Sequence, residues 1–225
     1  MTLRILRVIP FHEPARRFGG VVTQAALTSR ALAARGHRLT VLTSDLDIPA
    51  ELPRGRPIDR GGYDVCYAPA RRPWHRVPPY ASPCSTAELA AAARDADIVM
   101  LNVGLTLWNR AAARAAIGAG VGYVYNAEGC LCPTRLAVKR LRKAAFIAAV
   151  ERRVIAGAVR LIAATDEEAA DYRALGARAE QLAVVPNGVA PRPLPDPAER
   201  AAGRRLLGAV DDRPVVLFLG RLDRL

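Results

Sequence analysis

The chain has 225 residues, room for one large α/β domain or for a domain and a piece of a second. Apolar residues make up 51% of it, enough for a core, and a net charge of +12 favours anionic partners such as nucleotides or acidic lipids. No stretch approaches the roughly 20 apolar residues that span a bilayer, and the arginines lack the interleaved aromatics of a single-strand nucleic-acid surface.

Residues 1–10 carry Arg4 and Arg7 inside their apolar run and no small-residue cleavage site after it, so they read as a first strand and not a signal peptide. That strand is residues 3–9 (LRILRVI), bounded by Pro10. The loop FHEPARRFGG leads to a helix over residues 21–35 with Val22, Ala25, Ala26, Ser29, Leu32 and Ala33 facing inward, and Gly36 caps it. Strand two follows at residues 39–43, completing a βαβ unit. Residues 45–62 read as loop, 63–68 as strand three, 69–83 as an irregular arginine- and proline-bearing loop, 86–94 as helix and 97–101 as strand four. An alanine-rich helix over 105–119 precedes strand five at 121–125. The longest helix is expected over 134–156, followed by strand six at 159–163, a helix over 166–175 and strand seven at 182–185. The alternation predicts a doubly wound parallel sheet, a Rossmann-like α/β fold. A proline-rich connector and a short helix over 198–207 come next, and residues 215–219 read as a buried strand that needs a sheet of its own. The expected organisation is one domain over 1–190, a linker over 191–212 and the opening of a second domain over 213–225.

The four cysteines, Cys66, Cys84, Cys130 and Cys132, read as free thiols of a reducing compartment, and Cys130-Leu131-Cys132 is too tightly spaced for zinc. Ligands of doubly wound sheets bind beyond the carboxyl ends of the strands, and three loops there carry signals. Gly19 and Gly20, after Arg16, either let a phosphate approach bare N–H groups at a helix N-terminus or supply a tight turn with positive φ. Glu128, after strand five, is a candidate to bind sugar hydroxyls or take a proton, with a solvated loop glutamate as the alternative. Arg221 is a candidate diphosphate clamp, with chance as its competitor in an arginine-rich chain. The long helix is loaded with Arg135, Lys139, Arg140, Arg142 and Lys143, which suits an anionic membrane surface or the solvated side of a core helix whose only nearby compensation is Glu151.

The ordered set RILRVIPFHEPARRFGGVVTQAALTSRALAARGHRLTVLTSD, VERRVIAGAVRLIAATDEEAADYRALG, VVPNGV and VVLFLGRL resembles the amino-terminal half of a family 4 glycosyltransferase of the GT-B fold, over nearly the whole chain. The resemblance implies transfer of a sugar from a nucleotide-sugar donor with retained configuration and no metal or other cofactor. The acceptor, a glycan or lipid-linked intermediate of cell-envelope polysaccharide synthesis, would lie on this domain and the donor mostly on the next. Gly19 and Gly20 then fall where the first loop approaches the donor diphosphate, and Arg221 where the second domain contacts it. Arg16, Asn102 and Asn126 fall in the cleft, and Asn187 and Gly188 at the hinge. Relatives carry a histidine after strand five and another after strand four; here Ala127-Glu128-Gly129 and the surroundings of Asn102 stand in those places. The implied setting is cytoplasmic, on the inner face of the membrane where peripheral, without nucleic acid, and residues 1–225 alone are expected to be inactive. The alternatives are a Rossmann-like module that binds a nucleotide or anionic lipid without catalysis, and a GT-B nucleotide-sugar epimerase.

Overall fold

The computed structural model describes residues 1–191, 193–209 and 214–218 of the chain. These divide into two compact units, Met1–Gly188 and Val189–Leu225.

The first unit is built on an eight-stranded sheet, β1 (Arg4–Val8), β2 (Arg38–Ser44), β3 (Pro57–Asp59), β4 (Asp64–Ala68), β5 (Ile98–Asn102), β6 (Tyr123–Asn126), β7 (Arg160–Ala163) and β8 (Leu182–Val184). Its spatial order is β3-β4-β2-β1-β5-β6-β7-β8. All seven strands expected in this sheet are present and parallel. The addition is β3, which pairs antiparallel with β4 at the edge and sits in the stretch read as loop. The chain moves outward from β1 to β2 on one side and to β5 on the other. The loops that leave β1 and β5 therefore diverge, which is how doubly wound sheets open a crevice.

Alternation along β1 sorts the core into two layers. Leu6 and Val8 face α3 (Thr86–Arg94), α4 (Leu107–Gly118), α7 (Arg152–Gly157) and α8 (Asp166–Ala174), while Ile5 and Ile9 face α1 (Gly20–Ala34). The helices start where the sequence supplies acceptors. Glu88 N–H donates to Ser85 Oγ at 3.2 Å, Asn109 N–H to Thr106 Oγ1 at 3.2 Å and Glu168 N–H to Thr165 Oγ1 at 3.2 Å. Trp108, Val99 and Leu101 are at most 1% exposed, and truncating Leu101 to Ala would cost about 2–5 kcal/mol.

Two parts of the sequence reading are corrected. A short helix, α2 (Pro73–Arg76), occupies the stretch read as irregular. The long helix is not continuous: α5 (Pro133–Ala137) ends before Lys139, which adopts φ 55°, and α6 (Arg140–Phe146) then runs through a π-helical turn, Ile147–Glu151, into α7. A left-handed lysine cannot continue a right-handed helix, so the axis is reset there. Along this stretch Leu141 is 85% exposed and Ala144 and Ala148 are exposed, whereas Ile147, Val150, Val154 and Ile155 reach the core.

In the second unit, α9 (Pro197–Leu206) begins with a reciprocal cap in which Glu199 N–H donates to Asp196 Oδ1 at 2.8 Å and Asp196 N–H to Glu199 Oε2 at 3.1 Å. Residues 214–218 form no strand, and Val216, Leu217 and Phe218 are exposed rather than buried as expected. Leu219, the last residue of that predicted strand, lies outside the described residues.

Candidate functional site

Asn102 ends β5 and Asn126 ends β6, directly opposite each other in the parallel register. Beyond them the two loops remain paired: Val103 N–H donates to Asn126 O at 3.0 Å and Gly104 N–H to Ala127 O at 3.0 Å. Val103, Leu105 and Glu128 hold φ of 69°, 60° and 56°, a region that costs a non-glycine residue energy and persists where the surroundings over-determine it. Those surroundings are identifiable. Asn109 Nδ2 donates to Val103 O at 2.7 Å, and Leu105 N–H to Glu151 Oε2 at 3.2 Å. A Cβ on Gly104 would lie 2.9 Å from Cys130 Cβ and 3.1 Å from the Tyr125 hydroxyl oxygen, so only glycine fits.

Two carboxylates anchor these loops from below. Glu151, on the π-helical turn, is fully buried and accepts from Tyr125 OH as well as Leu105 N–H. It does not compensate the arginines beside it in sequence. Glu168 on α8 accepts from Gly129 N–H at 2.8 Å and from Ala164 N–H at 2.7 Å, tying the loop after β6 to the end of β7. Tyr172 OH accepts from Ala127 N–H at 2.6 Å. Sequence reading missed Glu168 and Tyr172 and gave Glu151 a different role, as compensation for the basic helix. Only Glu168 left a trace, as the third residue after the Thr165 cap.

On this frame sits Glu128. Its Oε1 accepts from Asn102 Nδ2 at 3.0 Å and Asn126 Nδ2 at 3.1 Å, and its N–H donates to Asn126 Oδ1 at 3.0 Å. Both amides converge on one oxygen, and Oε2 takes no hydrogen bond from the described residues. Burial raises the carboxyl above the ordinary glutamate value, against the Asn102 bond and the Arg7 charge, which pull it down. A raised carboxyl is better placed to carry and exchange a proton near neutral pH than a solvated one. The structure thus groups Glu128, Asn102 and Asn126 in one hydrogen-bonded constellation.

Gly19 and Gly20 stand after the neighbouring strand, β1. Gly19 holds φ 73°, which satisfies the tight-turn reading at that position. Gly20 has an ordinary φ, and open space surrounds its missing Cβ, so no turn or packing contact requires glycine there. No side chain caps the α1 N-terminus they form. Phe18 stacks on Phe11 at 3.5 Å and holds the loop in place. Arg7, which merely interrupts the apolar run in the sequence, is 2% exposed on β1. It donates to Ala25 O at 2.5 Å, Thr28 Oγ1 at 2.9 Å and Ser29 Oγ at 2.7 Å, fastening α1 to the sheet. Burial lowers it to about 10, so it stays cationic at neutral pH, favoured by Glu128.

The remaining candidates are placed elsewhere. Arg16 does not join Asn102 and Asn126; it lines a separate cavity with Glu13, Gly19, Thr23, Arg30 and Arg60. Gly188 O accepts from Gln24 Nε2 at 2.8 Å, so the predicted hinge is held to α1, with Asn187 exposed beside it. Arg135, Lys139, Arg140 and Arg142 are exposed, and Lys143 is tied to the Arg135 carbonyl. Arg221 lies outside the described residues. The four cysteines are free thiols, and among the described residues no cluster of His, Cys, Asp or Glu could hold a metal and no helix is long and apolar enough to cross a membrane. A cavity of about 620 Å³ opens between the amino ends of the strands, lined by Arg4, Arg38, Asp64 and Asp95, at the end of the sheet where doubly wound folds do not bind ligand.

Residues 19–188 match the family described as glycosyl transferase 4-like domain, and the chain belongs to that family. Its fold is that of the amino-terminal half of GT-B proteins. HepE of Anabaena, solved in complex with UDP-glucose, is 17% identical with a TM-score of 0.58, over 93% of this chain and 51% of that one. The sucrose-phosphate synthase of Thermosynechococcus elongatus is 17% identical with a TM-score of 0.60, over 98% of this chain and 56% of that one. The chain thus spans about half the length of these two structures, 51% and 56%. Comparison with curated protein sequences finds no match.

Proposed function

We propose that this domain is the acceptor side of a glycosyltransferase that moves a sugar from a nucleotide-sugar to a glycan or lipid-linked acceptor, with retention and without a metal. The observation that carries this reading is the presence, at the same end of the sheet, of an uncapped helix N-terminus after β1 and a carboxyl after β6 whose second oxygen is open, with β5 between the two strands. The helix N-terminus at Gly20 suits the diphosphate of the donor, where backbone N–H groups and the helix dipole favour the charge that grows on the leaving group. Glu128 orients a sugar hydroxyl through Oε2 while Asn102 and Asn126 fix Oε1. Arg221 contributes a guanidinium to the diphosphate from the domain that follows. The exposed basic segment of α5 and α6, with Leu141 at its tip, rests on the anionic inner face of the membrane where a lipid-linked acceptor resides.

The test is release of nucleoside diphosphate, over a panel of nucleotide-sugars, by protein made from the complete reading frame. Turnover is expected in the native protein, with a product whose anomeric configuration matches the donor by NMR and a rate unchanged by chelator. Gly20→Val is expected to abolish donor binding by shape, and Arg221→Ala to weaken it. Glu128→Gln is expected to lower turnover about 100-fold or more with donor affinity nearly intact, the signature of an interaction made in the transition state. Native-like turnover in Glu128→Gln would return that residue to a loop-stabilising role, and no transfer from any donor would overturn the reading as a whole.

A further inference from the structure

The cavity that takes Arg16 is distinct from the strand-end constellation. It has a volume of about 540 Å³ and lies between the loop after β1, the outward side of α1 and the turn after β3. Three arginines line it, Arg16, Arg30 and Arg60, against one carboxylate, Glu13. Arg30 is paired with Glu13, which neutralises both. Among the described residues Arg16 and Arg60 have no acidic partner within salt-bridge distance, and Arg60 Nε is buried without a hydrogen bond. Two guanidinium charges are thus left facing a concave space.

His12 is fully buried, neither ring nitrogen makes a hydrogen bond of normal geometry, and its ring lies 5.8 Å from that of Tyr63, whose hydroxyl is also buried and unpartnered. Burial first, then the charge of Arg7, hold His12 down to about 3; the Glu13 backbone opposes this and the charges of Arg60 and Arg30 add to it, so His12 is neutral and adds no charge. The unbalanced charge of the pocket is therefore close to +2.

We propose that this pocket is a binding site for a phosphomonoester dianion, held between Arg16 and Arg60. Such a group carries close to two negative charges at neutral pH, which matches the two unpaired guanidiniums, and its oxygens match their forked donors. Gly19 and Thr23 also line the pocket, with the apolar Pro14, Val22 and Leu27, and the space beyond the phosphate accommodates a sugar-sized remainder. The pocket shares Gly19 with the loop that the proposed function gives to the donor diphosphate, but its test needs no transfer reaction.

The 225-residue chain is titrated calorimetrically with inorganic phosphate, a hexose monophosphate and the free hexose, at a fixed ionic strength of about 0.15 M where loose surface attraction is screened. Saturable binding of phosphate is expected, weakened about tenfold or more by Arg16→Ala and by Arg60→Ala. Arg38→Ala, at the opposite end of the sheet, is expected to bind as the native chain does. Tighter binding of the hexose monophosphate than of inorganic phosphate identifies a sugar phosphate as the ligand, and equal binding identifies free phosphate. Absence of saturation, equal binding of the free hexose, or native affinity in Arg16→Ala and Arg60→Ala overturns the proposal. Both variants alter exposed or half-exposed side chains, and their melting curves report whether they fold.

Discussion

Glu151 shows how one side chain sets the geometry of a whole region. Flanked by Arg152 and Arg153, it has the sequence surroundings of a solvated charge, yet it is the buried acceptor for Tyr125 OH and Leu105 N–H. Burial raises its carboxyl above the ordinary glutamate value, and the two donors only partly oppose that. The folded chain therefore keeps this proton at pH values where the unfolded chain has lost it. The contribution to stability is complete below the ordinary glutamate value and declines as pH rises through the raised one. Glu128 has the same sign, so the two share the slope. Denaturant midpoints measured across that range should fall with rising pH in the native chain and fall less in Glu151→Gln, which keeps an acceptor for Leu105 but no charge. Glu151→Ala should cost about 1–3 kcal/mol for each donor it orphans. An unchanged slope in Glu151→Gln would assign the pH dependence to other groups.

At the scale of elements, the loops after β5 and β6 behave as one piece because backbone hydrogen bonds continue the sheet past the ends of both strands. Gly104 is where they approach most closely. Gly104→Ala should destabilise the fold by about 1–3 kcal/mol, since the neighbours of the new methyl are a backbone-attached Cβ and a tyrosine already committed to Glu151. A thermal shift within about 1 °C would mean that the loops relax apart freely. The parallel strands were legible from the sequence because each is a short apolar run closed by proline, glycine or a polar residue. The places of Asn102, Asn126 and Glu128 were legible as strand ends. Their partnership was not, because it depends on which strands are neighbours, and β5 and β6 are separated in the chain by α4. The edge strand β3 escaped because Pro57-Ile58-Asp59 offers a single apolar side chain. The break at Lys139 escaped because neither glycine nor proline marks it.

Over the whole molecule the basic residues are not interchangeable. Of the 33 lysines and arginines, only Lys139 and Lys143 are lysines, the first at the break between α5 and α6 and the second within α6. Charge reversal at Lys139, Arg140 and Arg142, all exposed, should leave the melting temperature nearly unchanged while abolishing co-sedimentation with anionic vesicles. Equal binding to neutral vesicles would remove the electrostatic account. The same placement gives the chain an unusual vulnerability. A protease specific for lysine has two sites in this sequence, Lys139 in an exposed turn and Lys143 half-buried within α6, and a cut at either separates β1 to β6 from β7 and β8. An amine-reactive dye likewise has only those two side chains and the amino terminus to label. Cleavage and labelling at this turn therefore read out directly what covers it, and anionic lipid is expected to slow both.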